Sequence, residues 1–177
     1  LPISSVAVLG DGSYVVGGVF TQPRPTLARI SSDGVVDDGF SSNVGDSIAG
    51  YVSTIELVDG GFIVGGQFTS PSNSLAKFSE NGQADSAFNE KFQDSVGSVI
   101  DGYVEKIAID TDGSIVVGGW FNQPSPFLMR IGRDGRLEAD KGLPALDAAV
   151  LSVVIDDGST FLGGAFTAPS LHLLRLA

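Results

Sequence analysis

The pentapeptide apolar-Gly-Gly-x-Phe stands four times in this chain, at 16–20, 64–68, 117–121 and 162–166. The copies lie 48, 53 and 45 residues apart. The match extends well beyond the pentapeptide. Six residues before each first glycine comes Asp-Gly: Asp11-Gly12, Asp59-Gly60, Asp112-Gly113 and Asp157-Gly158. Six after it comes proline: Pro23, Pro71, Pro124 and Pro169. Ten after it comes leucine (Leu27, Leu75, Leu128, Leu173), and twelve after it a base (Arg29, Lys77, Arg130, Arg175). A second turn follows at Asp33-Gly34, Asn81-Gly82 and Asp134-Gly135, then an acid at Asp37, Asp85 and Glu138. Phe40 and Phe88 close the first two copies, the third has Lys141, and the fourth reaches the last residue before its second turn. A period of this length, repeated four times, demands that one supersecondary unit be stacked against its neighbours.

The repeat reads as a β meander. Asp-Gly and Asn-Gly between apolar runs are strong hairpin signals. In the third copy the strands are expected at 104–109, 114–121 and 127–131, with a short fourth strand at 136–140. The proline after Gly-Gly-x-Phe belongs in a loop or at an edge. Ile107 and Ile109 alternate, as do Ile55 and Leu57. The turn before Asp59 is one residue shorter than that before Asp112, and a variant turn must absorb the difference, or every side chain would switch face. The middle strand is apolar on both faces, as in Ile115-Val116-Val117, so it is covered on both sides. The double glycine is then a place where a neighbouring backbone or side chain comes close. Four-stranded units of this length define an all-β chain, a β-propeller of four repeats at about 1–48, 49–101, 102–147 and 148–177. The chain 1–177 is expected to be one propeller domain, either compact and four-bladed or part of a larger one. Four copies exclude a threefold trefoil.

Composition removes several functions. There is no cysteine, so no disulfide framework and no thiol chemistry. One histidine, His172, cannot build a multi-histidine metal site. The net charge of −11 argues against nucleic acid, whose phosphates call for a basic patch. No run approaches the ~18 apolar residues of a membrane span. No cofactor is expected.

The segments 112–121 (Asp-Gly-Ser-Ile-Val-Val-Gly-Gly-x-Phe), 128–131 (Leu-x-Arg-Ile), Asp134-Gly135 and Asp-x-x-Phe at 37–40 and 85–88 resemble the delta-60 repeats of bacterial propeller-like proteins. The Val-Val-Gly-Gly core is similar to a kelch repeat too, but the Tyr and Trp that kelch blades place after the glycines are absent. The delta-60 resemblance implies a β-propeller in large secreted, surface or phage-associated proteins. It implies no defined activity and carries over no catalytic residue.

The candidate polar sites each have a structural reading. The repeated base and the acid eight residues later are expected to pair across a hairpin, worth roughly 0.2–1 kcal/mol each; the alternative is a ring of cations for an anionic ligand. Asp110 and Asp112 alternate as in calcium loops, but the third acid and the bidentate Glu are missing. His172 aligns with Thr26, Ser74 and Phe127, which points to a loop side chain rather than a catalytic triad member. Recognition is expected from the variable segments 41–50, 89–102 and 142–148. Phe92, Tyr103 and Trp120 are the aromatics singled out for binding, with no catalytic and no metal residue assigned. Trp120 fills the variable position of Gly-Gly-x-Phe, where the other copies carry Val19, Gln67 and Ala165.

The functional expectation is a non-enzymatic module of a secreted, cell-surface or virion protein, serving assembly or adhesion through protein partners. A carbohydrate-binding lectin is the second reading. A propeller that hydrolyses or eliminates a glycoside is the third, and would need paired acids in a cleft.

Overall fold

Each Asp-Gly turn joins two antiparallel strands, as its chemistry requires. The computed structural model describes residues 2–21, 26–45, 48–97, 100–138 and 142–176; Pro23 and Lys141 lie outside them, as do parts of all three variable segments except 142–148. The chain divides into two compact units, Leu1–Asn89 and Glu90–Ala177.

The first unit holds two three-stranded antiparallel sheets. One is β1 (Ile3–Val8), β2 (Tyr14–Gly18) and β3 (Leu27–Ile30); helix α1 (Asp38–Val44) follows; the other is β4 (Gly50–Val58), β5 (Gly61–Phe68) and β6 (Leu75–Ser79). Helix α2 (Ser86–Val96) contains the boundary between the units. The second unit holds β7 (Tyr103–Ile109), β8 (Ile115–Trp120) and β9 (Leu128–Ile131), then β10 (Val150–Asp156), β11 (Ser159–Gly164) and β12 (Leu173–Leu176). The four sheets are the blades of an all-β propeller.

The turn between the first two strands comes in two forms. Five residues link β1 to β2 and β7 to β8, and there the aspartate folds back: Asp112 Oδ1 accepts from the Ser114 amide at 2.8 Å and hydroxyl at 2.6 Å. Asp11 does the same with Ser13. Two residues link the corresponding strands of the other two blades, and Asp157-Gly158 has both φ positive, at 44° and 72°, the geometry that matches strand twist. The register downstream is the same in all four blades. Val6, Ile55, Ile107 and Val153 face Val16, Val64, Val117 and Leu162. The one-residue difference is thus absorbed in the turn.

The two glycines of each pair have separate tasks. Opposite every pair the first strand carries a bulge, between Ile3 and Ser5, Val52 and Thr54, Val104 and Lys106, and Val150 and Ser152. A Cβ on the second glycine would strike the bulged backbone: Pro2 O at Gly18, Tyr51 O at Gly66, Tyr103 O at Gly119 and Ala149 O at Gly164. In the first and third pairs the first glycine is a seat for the next blade of the same unit. A Cβ on Gly17 would lie 2.5 Å from Val52 Cγ1, and one on Gly118 2.5 Å from Val150 Cγ1.

The expected fourth strand is corrected. In the first three repeats it shrinks to single bridges, Ile30 with Val36, Phe78 with Ala84 and Ile131 with Leu137. The chain then turns into α1 and α2 in the first two repeats. Asp37 caps α1, its Oδ1 accepting from the Phe40 amide at 2.9 Å, and Asp85 accepts from Phe88 at 3.1 Å. Aspartate satisfies an orphan amide of the first helical turn, which extended backbone would not offer. Asp-x-x-Phe is therefore a helix start. It also seats an aromatic in the core: in the first unit Phe62 stacks between Phe40 and Phe78, with centroids at 6.0 and 5.8 Å. The core of the second unit gathers Val116, Leu128, Val150, Val153, Leu162 and Phe166.

Candidate functional site

The repeated base finds side-chain partners within its own blade. Arg130 Nη2 lies 2.7 Å from Asp110 Oδ2 and 3.3 Å from Asp112 Oδ2, and Arg130 Nε lies 3.3 Å from Glu138 Oε2. Arg29 meets Asp11 at 2.5 Å and Asp37 at 3.5 Å, and Lys77 meets Asp85 at 3.2 Å. The backbone brings each pair together, because the amide of the acid donates to the carbonyl of the base: Asp37 to Arg29, Asp85 to Lys77, Glu138 to Arg130. Arg175 donates to Ser159 Oγ at 2.9 Å and lies over the Phe161 ring at 5.7 Å. The titrations follow this arrangement. Hydrogen bonds from Ser114, then the Arg130 charge, hold Asp112 below the ordinary carboxylate value. Burial opposes the charge on Arg130, yet Asp110, Asp112 and Glu138 raise its pKa. Asp110 and Asp112, the pair with calcium-loop alternation, thus converge on a guanidinium. Among the described residues no group of three or more His, Asp or Glu is placed to hold a metal ion.

His172 sits where the backbone, rather than chemistry, sets the geometry. Thr26, Ser74, Phe127 and His172 all have φ between 61° and 68°. The amide of each donates to the last Phe of its motif, and its carbonyl accepts from the second glycine, as in His172 with Phe166 and Gly164. The imidazole Nδ1 lies 3.2 Å from the Gly164 carbonyl oxygen.

The three aromatics singled out for binding part ways. Phe92 is wholly buried, a correction with a plain cause. The segment is helical, and Phe88, Phe92 and Val96 at four-residue spacing share its inward face. The ring therefore offers nothing to a ligand. Tyr103 and Trp120 are brought together. They are cross-strand partners of β7 and β8, and their rings stack with centroids 6.5 Å apart. Trp120 is 47% exposed and Tyr103 is half-buried. Burial first, then the charge of Glu105, raises the Tyr103 pKa. At the same register the second blade pairs Tyr51 with Gln67, so the aromatic pair belongs to one blade.

Beside this pair lies a clamp that spacing did not point to. Asp101 Oδ1 accepts from the amides of Asn122 at 2.6 Å and Gln123 at 2.9 Å, fixing the loop after β8. Asp147 does the same for the loop after β11, accepting from the Thr167 and Ala168 amides and from the Thr167 hydroxyl. Both acids stand outside the aligned repeat, so comparison of the copies does not signal them. The Thr167 hydroxyl, then the Thr167 and Ala168 amides, lower the Asp147 pKa from 3.8 to about 2. A depressed carboxylate stabilises the fold fully above its unfolded value, and that contribution fades as pH falls through the folded value. Thermal melts should therefore show Asp147→Asn to be less stable than the parent at neutral pH. Its melting temperature should also depend less on pH between 3.8 and about 2. Parallel acid limbs for the two proteins would mean that the clamp contributes nothing.

No helix among the described residues is long and apolar enough to cross a membrane. No curated protein matches the chain. Among solved structures, it is similar to the computationally designed Ika4 protein, with 13% identity and a TM-score of 0.57, covering 99% of this chain and 90% of that one. It is also similar to the computationally designed Ika8 protein, with 13% identity and a TM-score of 0.56; the match covers 90% of this chain and 42% of that one. Identities so low speak for the fold alone. The repeat itself is matched by a family model at residues 9–40, 59–88 and 111–139. These segments take in the turns, the Gly-Gly strands and the base–acid pairs of the first three blades, and together they cover half of the chain, so the protein belongs to the beta-propeller family described as a domain of unknown function, DUF5122.

Proposed function

We propose that the chain is a non-enzymatic binding module, serving assembly or adhesion in a secreted, cell-surface or virion protein. The observation that carries this reading is the stacked Tyr103–Trp120 pair on the surface of one blade. Trp120 stands where the other copies carry Val19, Gln67 and Ala165, so the scaffold does not require it, and Tyr and Trp are enriched where proteins meet. The charged residues that the scaffold does repeat are held in ion pairs or hydrogen bonds within their blades. This arrangement supports binding over catalysis, since a hydrolase or lyase needs acids aimed into a cleft. The delta-60 resemblance and the acidic composition support the extracellular or virion setting.

A lectin is the second reading, favoured by the same pair, because flat aromatic faces also receive sugar rings. Trp120 is the sole tryptophan, so its fluorescence reports directly on the site. Titration with glucose, galactose and N-acetylglucosamine is expected to leave the emission unchanged, and a glycan array to stay blank. A saturable shift abolished by Tyr103→Ser would replace assembly with sugar binding. Turnover of aryl glycosides, lost on changing one carboxylate, would overturn the non-enzymatic reading.

A further inference from the structure

The outer edge of a three-stranded blade is a row of backbone groups that something must satisfy. In the second blade α2 does so. Lys77 of β6 donates its amide to Asn89 Oδ1 at 2.8 Å, and Asn89 Nδ2 donates to the Lys77 carbonyl at 3.1 Å. Asn89 is 3% exposed. A buried carboxamide thus takes the place of a residue in a fourth strand. At the start of β6 the Ser72 hydroxyl donates to the Leu75 carbonyl. The fourth blade repeats that bond, from Ser170 to Leu173.

The third blade leaves both positions open. Arg130 of β9 is the counterpart of Lys77, and lies opposite Val116 as Lys77 lies opposite Ile63. Its carbonyl accepts from the Glu138 amide at 2.8 Å, as that of Lys77 accepts from Asp85 at 2.9 Å. In an antiparallel ladder the amide and carbonyl of one residue point the same way, so the Arg130 amide points outward too. No described residue accepts from it. Gly142 stands where the second blade has Asn89, each 24 residues after the first glycine of its pair, and it brings no side chain. Residues 142–148 form no helix. Ser125, the counterpart of Ser72, has no hydrogen-bond partner among the described residues. A cavity of about 370 Å³ opens at this place, and its walls include Pro124, Ser125, Arg130, Leu137 and Leu143.

We propose that this cavity receives an asparagine or glutamine side chain of a partner protein, its carboxamide bridging the amide and carbonyl of Arg130 as Asn89 bridges those of Lys77. The occupant is neutral, because the Arg130 guanidinium is already met by Asp110, Asp112 and Glu138. A carboxylate would face the Arg130 carbonyl as well as these acids. The occupant belongs to a polypeptide, because Pro124, Leu137 and Leu143 offer an apolar wall to a neighbouring side chain, and the Ser125 hydroxyl can donate to a backbone carbonyl. The aromatic pair takes no part, so the proposal goes beyond the binding reading, and either can fail without the other.

Nitrogen-15 NMR of the 177-residue chain tests it. The probe is the pentapeptide Thr-Val-Asn-Val-Thr, acetylated at one end and N-methylamidated at the other. In the free chain the Arg130 amide should exchange with solvent at least about tenfold faster than the Lys77 amide, which is bonded and covered. The peptide should shift the Arg130 amide resonance saturably below about 5 mM and slow its exchange. The same peptide with aspartate for asparagine should bind at least about tenfold more weakly, since it lacks the N–H donor and brings a charge beside acids. Ser125→Ala should weaken binding about threefold, the worth of one neutral hydrogen bond, without lowering the melting temperature. The proposal is overturned by an Arg130 amide as protected as that of Lys77, by an unshifted Arg130 resonance or a shift confined to the Trp120 indole, or by equal binding of either control.

Discussion

Gly118→Val is expected to destabilise the protein by about 3 kcal/mol or more, the upper end of what overpacking a filled interior costs. A Cβ there would stand 2.5 Å from Val150 Cγ1 and 3.1 Å from Val153 Cγ2. Both valines are fixed in a strand and fully buried, so they cannot swing aside. The two methyls of valine add further overlap. The control must be chosen with care. Gly142 lies in a variable segment with nothing within 4 Å, but its φ is +67°, so a side chain there costs about 1–2 kcal/mol from the backbone alone. Gly10 has open space and no left-handed backbone; Gly10→Ala should stay within about 0.5 kcal/mol of the parent. Urea unfolding of the three proteins separates a packing effect from a backbone effect. Equal midpoints for Gly118→Val and Gly10→Ala would remove the packing role.

Phe62→Ala is expected to cost about 3–5 kcal/mol, as truncation of a buried aromatic does. The ring is wholly buried between Phe40 and Phe78. Its loss leaves Phe40 without the surface against which α1 docks, so the helix should loosen together with the sheet. Phe62→Leu keeps most of the volume and should cost less than about half as much. Melting followed by circular dichroism gives the comparison. A loss below about 1 kcal/mol for alanine would mean that α1 and the second sheet do not share one core.

The sheets were legible because their signals repeat. Asp-Gly turns, Gly-Gly-x-Phe and the base on the third strand recur at fixed offsets, and the structure puts three strands on each set. The pairing of Arg29, Lys77 and Arg130 with acids eight residues on was legible too, since a hairpin brings such positions opposite each other. The helices are masked by the same repeats. Asp37 and Asp85 sit where a hairpin partner of the base is expected, and each also caps a helix. Length differences among the copies made 41–50 and 89–102 look like loops, although Phe88, Phe92 and Val96 already had helical spacing. Phe92 was misplaced for that reason alone. Tyr103 and Trp120 were legible as single unusual residues, but their stacking depends on cross-strand register, which the bulge between Val104 and Lys106 shifts. The clamps of Asp101 and Asp147 lie outside the repeat frame, so comparison of copies could not find them.

The central claim is that Gly17 and Gly118, the first glycines of their pairs, receive the first strand of the next blade in the same unit. A double-mutant cycle on Gly118→Ala and Val150→Ala tests it most directly. Alone, each should destabilise, the first by overpacking and the second by leaving a cavity. Together the new methyl should fill the space the valine vacates, so the double variant should be more stable than the two single losses predict by at least about 1 kcal/mol, the coupling expected of residues in contact. Strict additivity in urea unfolding would contradict the account.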